Sequence, residues 1–157
     1  ITVALNDATA SKMSYYLRYR TDVTSLSCSE STQTFGVTMT LSQALSASEA
    51  RLLPSYVTGN GPAGIGAGSQ LVRIHVFAPS RGEINDIKIN GKVVGTPQTV
   101  LVNQRPAVTL NVLVDSMSDV VVTLEIESGA GQSEGALLDQ TPSVIPGGGS
   151  TSLETSC

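Results

Sequence analysis

The chain of 157 residues has no tryptophan, and aromatic side chains make up only 4% of it. Charged side chains are also scarce, at 14%, and the formal net charge is −4. The three lysines, Lys12, Lys88 and Lys92, do not cluster with the six arginines. Because nucleic-acid binding requires clustered cations, this composition argues against a nucleic-acid partner. No apolar run approaches the ~20 residues that span a bilayer.

The lack of aromatics does not indicate disorder, because 40% of the residues are hydrophobic and disordered chains pair few aromatics with low hydrophobicity. A chain of this length can bury roughly 70% of its unfolded surface in one domain. The many Ser, Thr, Gly and Val residues are typical of exported β-domains. The sequence starts at Ile1, in a strand-like segment; we infer a processed protein or part of a longer one.

Alternation of apolar and polar residues is the main structural signal, and it predicts seven to nine short strands. The clearest example places Phe35, Val37, Met39 and Leu41 on one face. We therefore predict an all-β fold, an immunoglobulin-like antiparallel β-sandwich with one short helix and a Gly-rich loop; a closed barrel is the alternative. The predicted sandwich covers residues 1–146, and residues 147–157 are predicted to form a flexible C-terminal tail around Gly147-Gly148-Gly149.

Several local predictions accompany this fold. Alternation of Met13, Tyr15, Leu17 and Tyr19 predicts a half-buried strand, and residues 27–34 are predicted to form a polar loop. Ser48 is predicted to cap a short helix that runs to Leu53. Asn90-Gly91 predicts a type I′ hairpin turn. The alternating segments 108–114 and 120–126 are predicted to pair as an antiparallel hairpin.

The two cysteines, Cys28 and Cys157, match no zinc-ligand spacing. In an oxidising compartment they are expected to pair as a disulfide, and two unpaired thiols are the alternative. Closing a loop of this length would stabilise the fold by roughly 4–5 kcal/mol through the loss of chain entropy in the unfolded state.

The Gly-rich segment is the candidate binding loop, formed by Gly59, Asn60, Gly61, Gly64, Gly66 and Gly68. Gly59, Gly61 and Gly64 match the spacing of a dinucleotide-binding motif, but that motif requires a strand before it and a helix after it. Here Pro62 interrupts the segment and a strand-like segment follows. We therefore expect no cofactor. Loops on a rigid scaffold often bind ligands, although sugar-binding surfaces usually use exposed aromatics.

Candidate catalytic residues are few. His75, the one histidine, lies in a strand-like segment, and no G-x-S-x-G segment is present to supply a nucleophile. Glu125 and Glu127 are predicted to share an outward strand face, where charges usually maintain solubility. Tyr16 and Arg18 form a candidate contact surface, with cross-strand packing of Tyr16 as the favoured alternative. We expect neither an enzyme nor a metal site.

One run of residues carries a resemblance to a known family: Leu5-Asn6-Asp7-Ala8-Thr9-Ala10-Ser11-Lys12-Met13-Ser14-Tyr15-Tyr16-Leu17. With Tyr56-Val57-Thr58-Gly59 and Val76-Phe77-Ala78-Pro79, it resembles the C-terminal region of a family of actinobacterial cell-envelope proteins of unknown function. The resemblance extends to about Val144 and is most specific from Ser11 to Leu17. Glycine is commoner in the family where this chain has Ala10.

The resemblance implies an N-terminal membrane anchor and a further domain upstream of this segment, with the segment itself outside the membrane at the cell surface. It implies no catalytic residues. The expected function is a non-catalytic module for cell-envelope interaction or structural spacing, monomeric as this fragment, whose partner is an envelope protein or glycan. The alternatives are a carbohydrate- or peptide-binding domain that uses its end loops, and a glycan- or peptide-cleaving enzyme.

Overall fold

The chain folds as a sandwich of two mostly antiparallel β-sheets. The computed structural model describes residues 1–59, 65–95, 97–144, 150–153, 155 and 157. The strands are β1 (Thr2–Asp7), β2 (Leu17–Ser29), β3 (Thr32–Gln43), β4 (Gln70–Phe77), β5 (Glu83–Ile89), β6 (Lys92–Val93), β7 (Val100–Val102), β8 (Arg105–Val114), β9 (Val120–Glu127), β10 (Leu137–Gln140) and β11 (Ser150–Ser152). The helices are a 3-10 turn (Met13–Tyr15), α1 (Ala47–Ala50) and α2 (Ser55–Thr58). The predicted all-β sandwich is confirmed.

Sheet A has the strand order β11-β10-β1-β4-β8-β7, and sheet B has the order β2-β3-β9-β5-β6. The β1–β10 pair is parallel. The core lies between the sheets and is filled by the inward residues of alternating strands, among them Phe35, Val37, Ile74, Leu110 and Leu124. We call the end of the sandwich at which β1, β3, β5, β8 and β10 start the lower end, and the opposite end the upper end. The upper end carries both α-helices and the part of the Gly-rich segment that the structure describes.

The predicted pairing of segments 108–114 and 120–126 is wrong. Strand β8 pairs with β4 and β7 in sheet A, whereas β9 pairs with β3 and β5 in sheet B. Residues 115–119 therefore cross from one sheet to the other. The alternation showed which face of each strand is buried. Two strands with one apolar face each can pack against each other from opposite sheets as readily as they can pair within one sheet.

The segment before β2 also differs from the prediction. Met13–Tyr15 form a 3-10 turn, so the strand starts at Leu17, and Tyr15 is 60% exposed. Met13 is buried in a second, smaller cluster with Leu45 and Ala50. The side chain of Asp7 holds the preceding loop through hydrogen bonds to Thr9 and Ser11, and this arrangement replaces the extended conformation.

The predictions for one hairpin turn, one loop and one helix cap have different outcomes. Asn90 and Gly91 join β5 to β6 with φ of 50° and 74°, which confirms the predicted hairpin turn. The predicted polar loop 27–34 is wrong, because only Glu30 and Ser31 separate β2 from β3. Helix α1 is capped by Ser46 and not by Ser48. Ser46 and Glu49 form a reciprocal capping box, and that spacing places the start of the helix.

Candidate functional site

A cleft with a volume of about 680 Å³ opens at the lower end of the sandwich. We call it the lower cleft. Its walls are the first residues of β1, β3 and β8, the residue Ser128 after β9, and the loop 131–136 that leads into β10. Both polar side chains, such as Gln132 and Glu134, and apolar ones, such as Ala136 and Leu137, face this space.

Gln33 fixes one wall of the lower cleft. It occupies an inward position of β3 and is 1% exposed. Its Nε2 donates to the carbonyls of Gln132 and Glu134, each at 2.8 Å, and its backbone N–H donates to Ser128 Oγ at 2.9 Å. A buried amide with these partners holds the loop against the sheet, because a buried carbonyl left without a donor would cost free energy.

The C-terminal residues close over the same loop. Leu153 N–H donates to the Ala136 carbonyl at 2.7 Å, and Thr155 Oγ1 donates to the Ser133 carbonyl at 2.6 Å. A Cβ atom on Gly135 would lie 2.6 Å from the Leu153 carbonyl oxygen, so this close approach requires glycine. The tail predicted to be flexible thus contains strand β11; the predicted linker residues 147–149 lie outside the described residues.

The C-terminal residues that close over this loop are here called the strap. They end at a disulfide between Cys28 and Cys157, whose Cα atoms lie 5.2 Å apart. It confirms the predicted pairing and ties the tail to the lower end of β2. Such bonds are typical of proteins from oxidising compartments. No helix within the described ranges has the length and apolarity needed to cross a membrane.

Arg105 supplies a fixed cation at the lower cleft. Its Nε donates to the Ala78 carbonyl at 2.9 Å and its Nη2 to Thr2 Oγ1 at 3.0 Å. The guanidinium also lies 5.6 Å from the centre of the Phe77 ring. Because Glu134 and Asp139 bring carboxylates to the same cleft, it can offer both signs of charge as well as amide and hydroxyl hydrogen bonds. This chemistry suits a polar ligand.

A smaller cleft of about 300 Å³, here called the upper cleft, includes part of the predicted binding loop. Gly59, Gly66 and Gly68 line it, together with Arg51 and Thr9. Gly68 has a φ of +85°, and a Cβ atom there would lie 3.2 Å from Ala47 Cα, so the chain needs glycine at this position. The remaining residues of the predicted loop, Asn60, Gly61 and Gly64, lie outside the described residues.

The run that carries the family resemblance folds into a loop centred on Asp7. The Asp7 carboxylate accepts hydrogen bonds from the backbone N–H and hydroxyl of Thr9, and from the backbone N–H and hydroxyl of Ser11. Burial raises the pKa of Asp7, but the hydrogen bonds, led by that of the Ser11 hydroxyl, outweigh burial and hold the pKa below its ordinary value.

Tyr16 and Arg18 lie beside this loop. Tyr16 is half-buried against the cluster of Met13, Leu45 and Ala50, and its ring meets that of Tyr15 edge to face at 5.1 Å. Arg18 Nη1 donates to the Tyr15 carbonyl at 3.0 Å. Tyr16 therefore packs within the domain, and Arg18 is hydrogen-bonded to the backbone of the domain.

The structure does not bring the candidate catalytic residues together. His75 lies on the outer side of sheet A, where its Nδ1 is 2.9 Å from Thr109 Oγ1. Glu125 and Glu127 alternate with the buried residues of β9 and face outward from sheet B. The core separates the histidine from the glutamates. In the part of the chain that the structure describes, no three His, Cys, Asp or Glu residues are placed to hold a metal ion.

Comparison with models of protein families, with curated proteins and with solved structures finds no match to this chain. The resemblance to actinobacterial envelope proteins therefore stays a prediction. The residues of the lower cleft, including Gln33, Arg105 and Glu134, were not singled out from the sequence. One signal was present, because Gln33 continues the inward positions of Phe35 and Val37, and a polar residue at a core position marks a specific hydrogen-bonding role.

Proposed function

We propose that this chain is a non-catalytic interaction module of the extracytoplasmic space, which binds an envelope glycan or a short peptide in the lower cleft. The observation that carries the proposal is the construction of this cleft. Its volume of about 680 Å³ lies in the range of ligand sites, roughly 300–1,000 Å³. Its loop is held by Gln33 and by a disulfide-bonded strap, so the site is preformed and loses little entropy on binding.

Two further points support an extracytoplasmic location and a non-catalytic role. The disulfide is consistent with an oxidising compartment, and the resemblance implies an anchor upstream that would hold the module at the cell surface. Nucleophilic catalysis requires a base within hydrogen-bond reach of the nucleophile. His75, the one histidine, is not among the residues that line the lower cleft, so it cannot act as the base for a hydroxyl there.

A second candidate is a carbohydrate- or peptide-binding domain that uses the upper cleft. Gly59, Gly66 and Gly68 line this cleft, and backbone exposed at glycines can approach a ligand closely. The volume of about 300 Å³ would accept a smaller ligand. The two candidates differ in the end of the sandwich that contacts the ligand.

The proposal is tested by co-sedimentation of the domain with purified, insoluble cell-wall sacculi. Glu134 is exposed at the lower cleft, so Glu134→Lys changes the charge of the site without disturbing the core. We expect this variant to bind about tenfold more weakly, which corresponds to ~1.4 kcal/mol. The matched control is Glu125→Lys, because Glu125 is also exposed but lies on the outer side of sheet B.

The outcomes separate the candidates. Loss of binding in Glu134→Lys but not in Glu125→Lys supports the lower cleft. Equal binding of both variants and the wild type would favour the upper cleft, and it would then be tested with Arg51→Glu. Release of soluble fragments from the sacculi by the purified domain would show an enzyme and would overturn the proposal.

A further inference from the structure

Strand β7 forms an apolar free edge of sheet A. Its three residues are all exposed: Val100 by 47%, Leu101 by 75% and Val102 by 43%. β7 is the last strand in its sheet order, and among the residues that the structure describes it pairs only with β8. Isolated exposed apolar residues are common on proteins, but a contiguous set at a sheet edge indicates an interaction surface.

The backbone of Leu101 points toward the open edge. Asn103 and Gln104 form a two-residue turn with φ of 49° and 64°, which places Val102 and Arg105 in the hydrogen-bonded closing pair. Alternation then makes Leu101 and Pro106 a pair without hydrogen bonds between them. Pro106 agrees with this assignment, because it has no N–H and its carbonyl accepts from Ala78 N–H on the opposite side, at 2.9 Å. Leu101 therefore presents its N–H and C=O away from β8.

The edge also lacks the charges that usually protect free strands. Residues 97–104 contain no charged side chain. By contrast, the edge strand β2 carries Arg18, Arg20 and Asp22, and the edge strand β6 carries Lys92. Natural sheet edges are commonly protected by charge because an uncharged apolar edge pairs with other strands.

We propose that β7 pairs with β7 of a second copy of this chain, antiparallel about a two-fold axis at Leu101. The sequence Val-Leu-Val reads the same in both directions, so an identical strand supplies a complementary pattern. Val100 then lies opposite the partner subunit's Val102, and Leu101 opposite the partner subunit's Leu101. Each copy carries a net charge of −4, and an uncharged seam lets two copies meet without like charges in contact.

The contact is short, so the association depends on concentration. Stable interfaces usually bury about 1,200–2,000 Å², and a pair of three-residue strands buries less. The chain was expected from its sequence to be monomeric. We expect it to be a monomer when dilute and to dimerise through β7 as its concentration rises.

Disulfide trapping tests this pairing. Both native cysteines are bonded to each other, so Leu101→Cys adds a single free thiol. Directly opposed residues in a hydrogen-bonded antiparallel pair have Cα atoms about 5.5 Å apart, which a disulfide can bridge. The controls are Leu52→Cys and Val93→Cys, at residues that are 85% and 72% exposed. We expect Leu101→Cys to form covalent dimers in glutathione buffer at least ~10-fold faster than either control, a ratio equivalent to ~1.4 kcal/mol.

Sedimentation equilibrium provides a second test of association through β7. The average mass of the unmodified protein is expected to rise with concentration, and Leu101→Lys is expected to abolish that rise while Leu52→Lys leaves it intact. Trapping of Leu101→Cys no faster than the controls, a monomer mass at every concentration, or association that survives Leu101→Lys would each overturn the proposal. Circular dichroism of every variant confirms that it is folded.

Discussion

At the scale of single residues, two polar side chains organise the two ends of the sandwich. Gln33 joins β3 to the loop that walls the lower cleft, through 2.8 Å hydrogen bonds to two carbonyls. Asp7 organises the upper end, where it holds the residues between β1 and the 3-10 turn. In each case one side chain satisfies several groups of an irregular segment, which is how a loop keeps one conformation.

The lowered pKa of Asp7 predicts a pH-dependent effect of Asp7→Asn. A carboxylate with a depressed pKa stabilises the fold above its unfolded pKa, and this contribution is lost as the pH falls through the folded pKa. We expect Asp7→Asn to lower the free energy of unfolding by about 1 kcal/mol at neutral pH, a modest figure because Asp7 is only partly buried. Below the ordinary pKa of 3.8, the difference from the wild type is expected to shrink.

Urea denaturation over a pH series measures this effect. Asp22→Asn is the matched control, because Asp22 makes an exposed ion pair with Arg20 and such pairs contribute little. A difference between wild type and Asp7→Asn that grows as the pH falls would contradict the assignment.

At the scale of elements, alternation predicted the individual strands better than their partners. The apolar inward residues Phe35, Val37, Met39 and Leu41 of β3 were identified, and the segments that form most of β8 and β9 were recognised as alternating, because a strand with one buried face has a period of two. The β8–β9 pairing was wrong because the crossing from sheet A to sheet B depends on contacts distant in sequence. The 3-10 turn was missed because the side-chain hydrogen bonds of Asp7 override a short apparent alternation.

The strap formed by β11 and the disulfide predicts a large effect of Cys157→Ser. The disulfide spans 129 residues, and its loss is expected to lower the free energy of unfolding by up to about 5 kcal/mol through the greater entropy of the unfolded chain. Guanidinium denaturation measures it. The double variant Cys28→Ser/Cys157→Ser should lose no more than either single variant, because all three remove the same bond. Additive losses would show that the cysteines contribute independently.

At the scale of the whole molecule, the sequence was enough to predict a disulfide-bonded all-β sandwich. The alternation of apolar and polar residues indicated the strands, and the presence of two cysteines indicated the disulfide. The lower cleft could not be predicted, because it forms where β1, β3, β8 and the residues before β10 converge. Residues as far apart as Gln33 and Thr155 meet there, at 3.0 Å. Only the tertiary arrangement brings them together.

An amide NMR titration of the labelled domain with a soluble peptidoglycan fragment tests directly whether the lower cleft is the ligand site. We expect chemical-shift changes concentrated at Gln33, Ser128, Gln132 and Glu134, with the amides of the upper end unchanged. Shifts confined to Gly59, Gly66 and Gly68 would place the ligand in the upper cleft and contradict the claim. An absence of shifts at saturating fragment would contradict it as well.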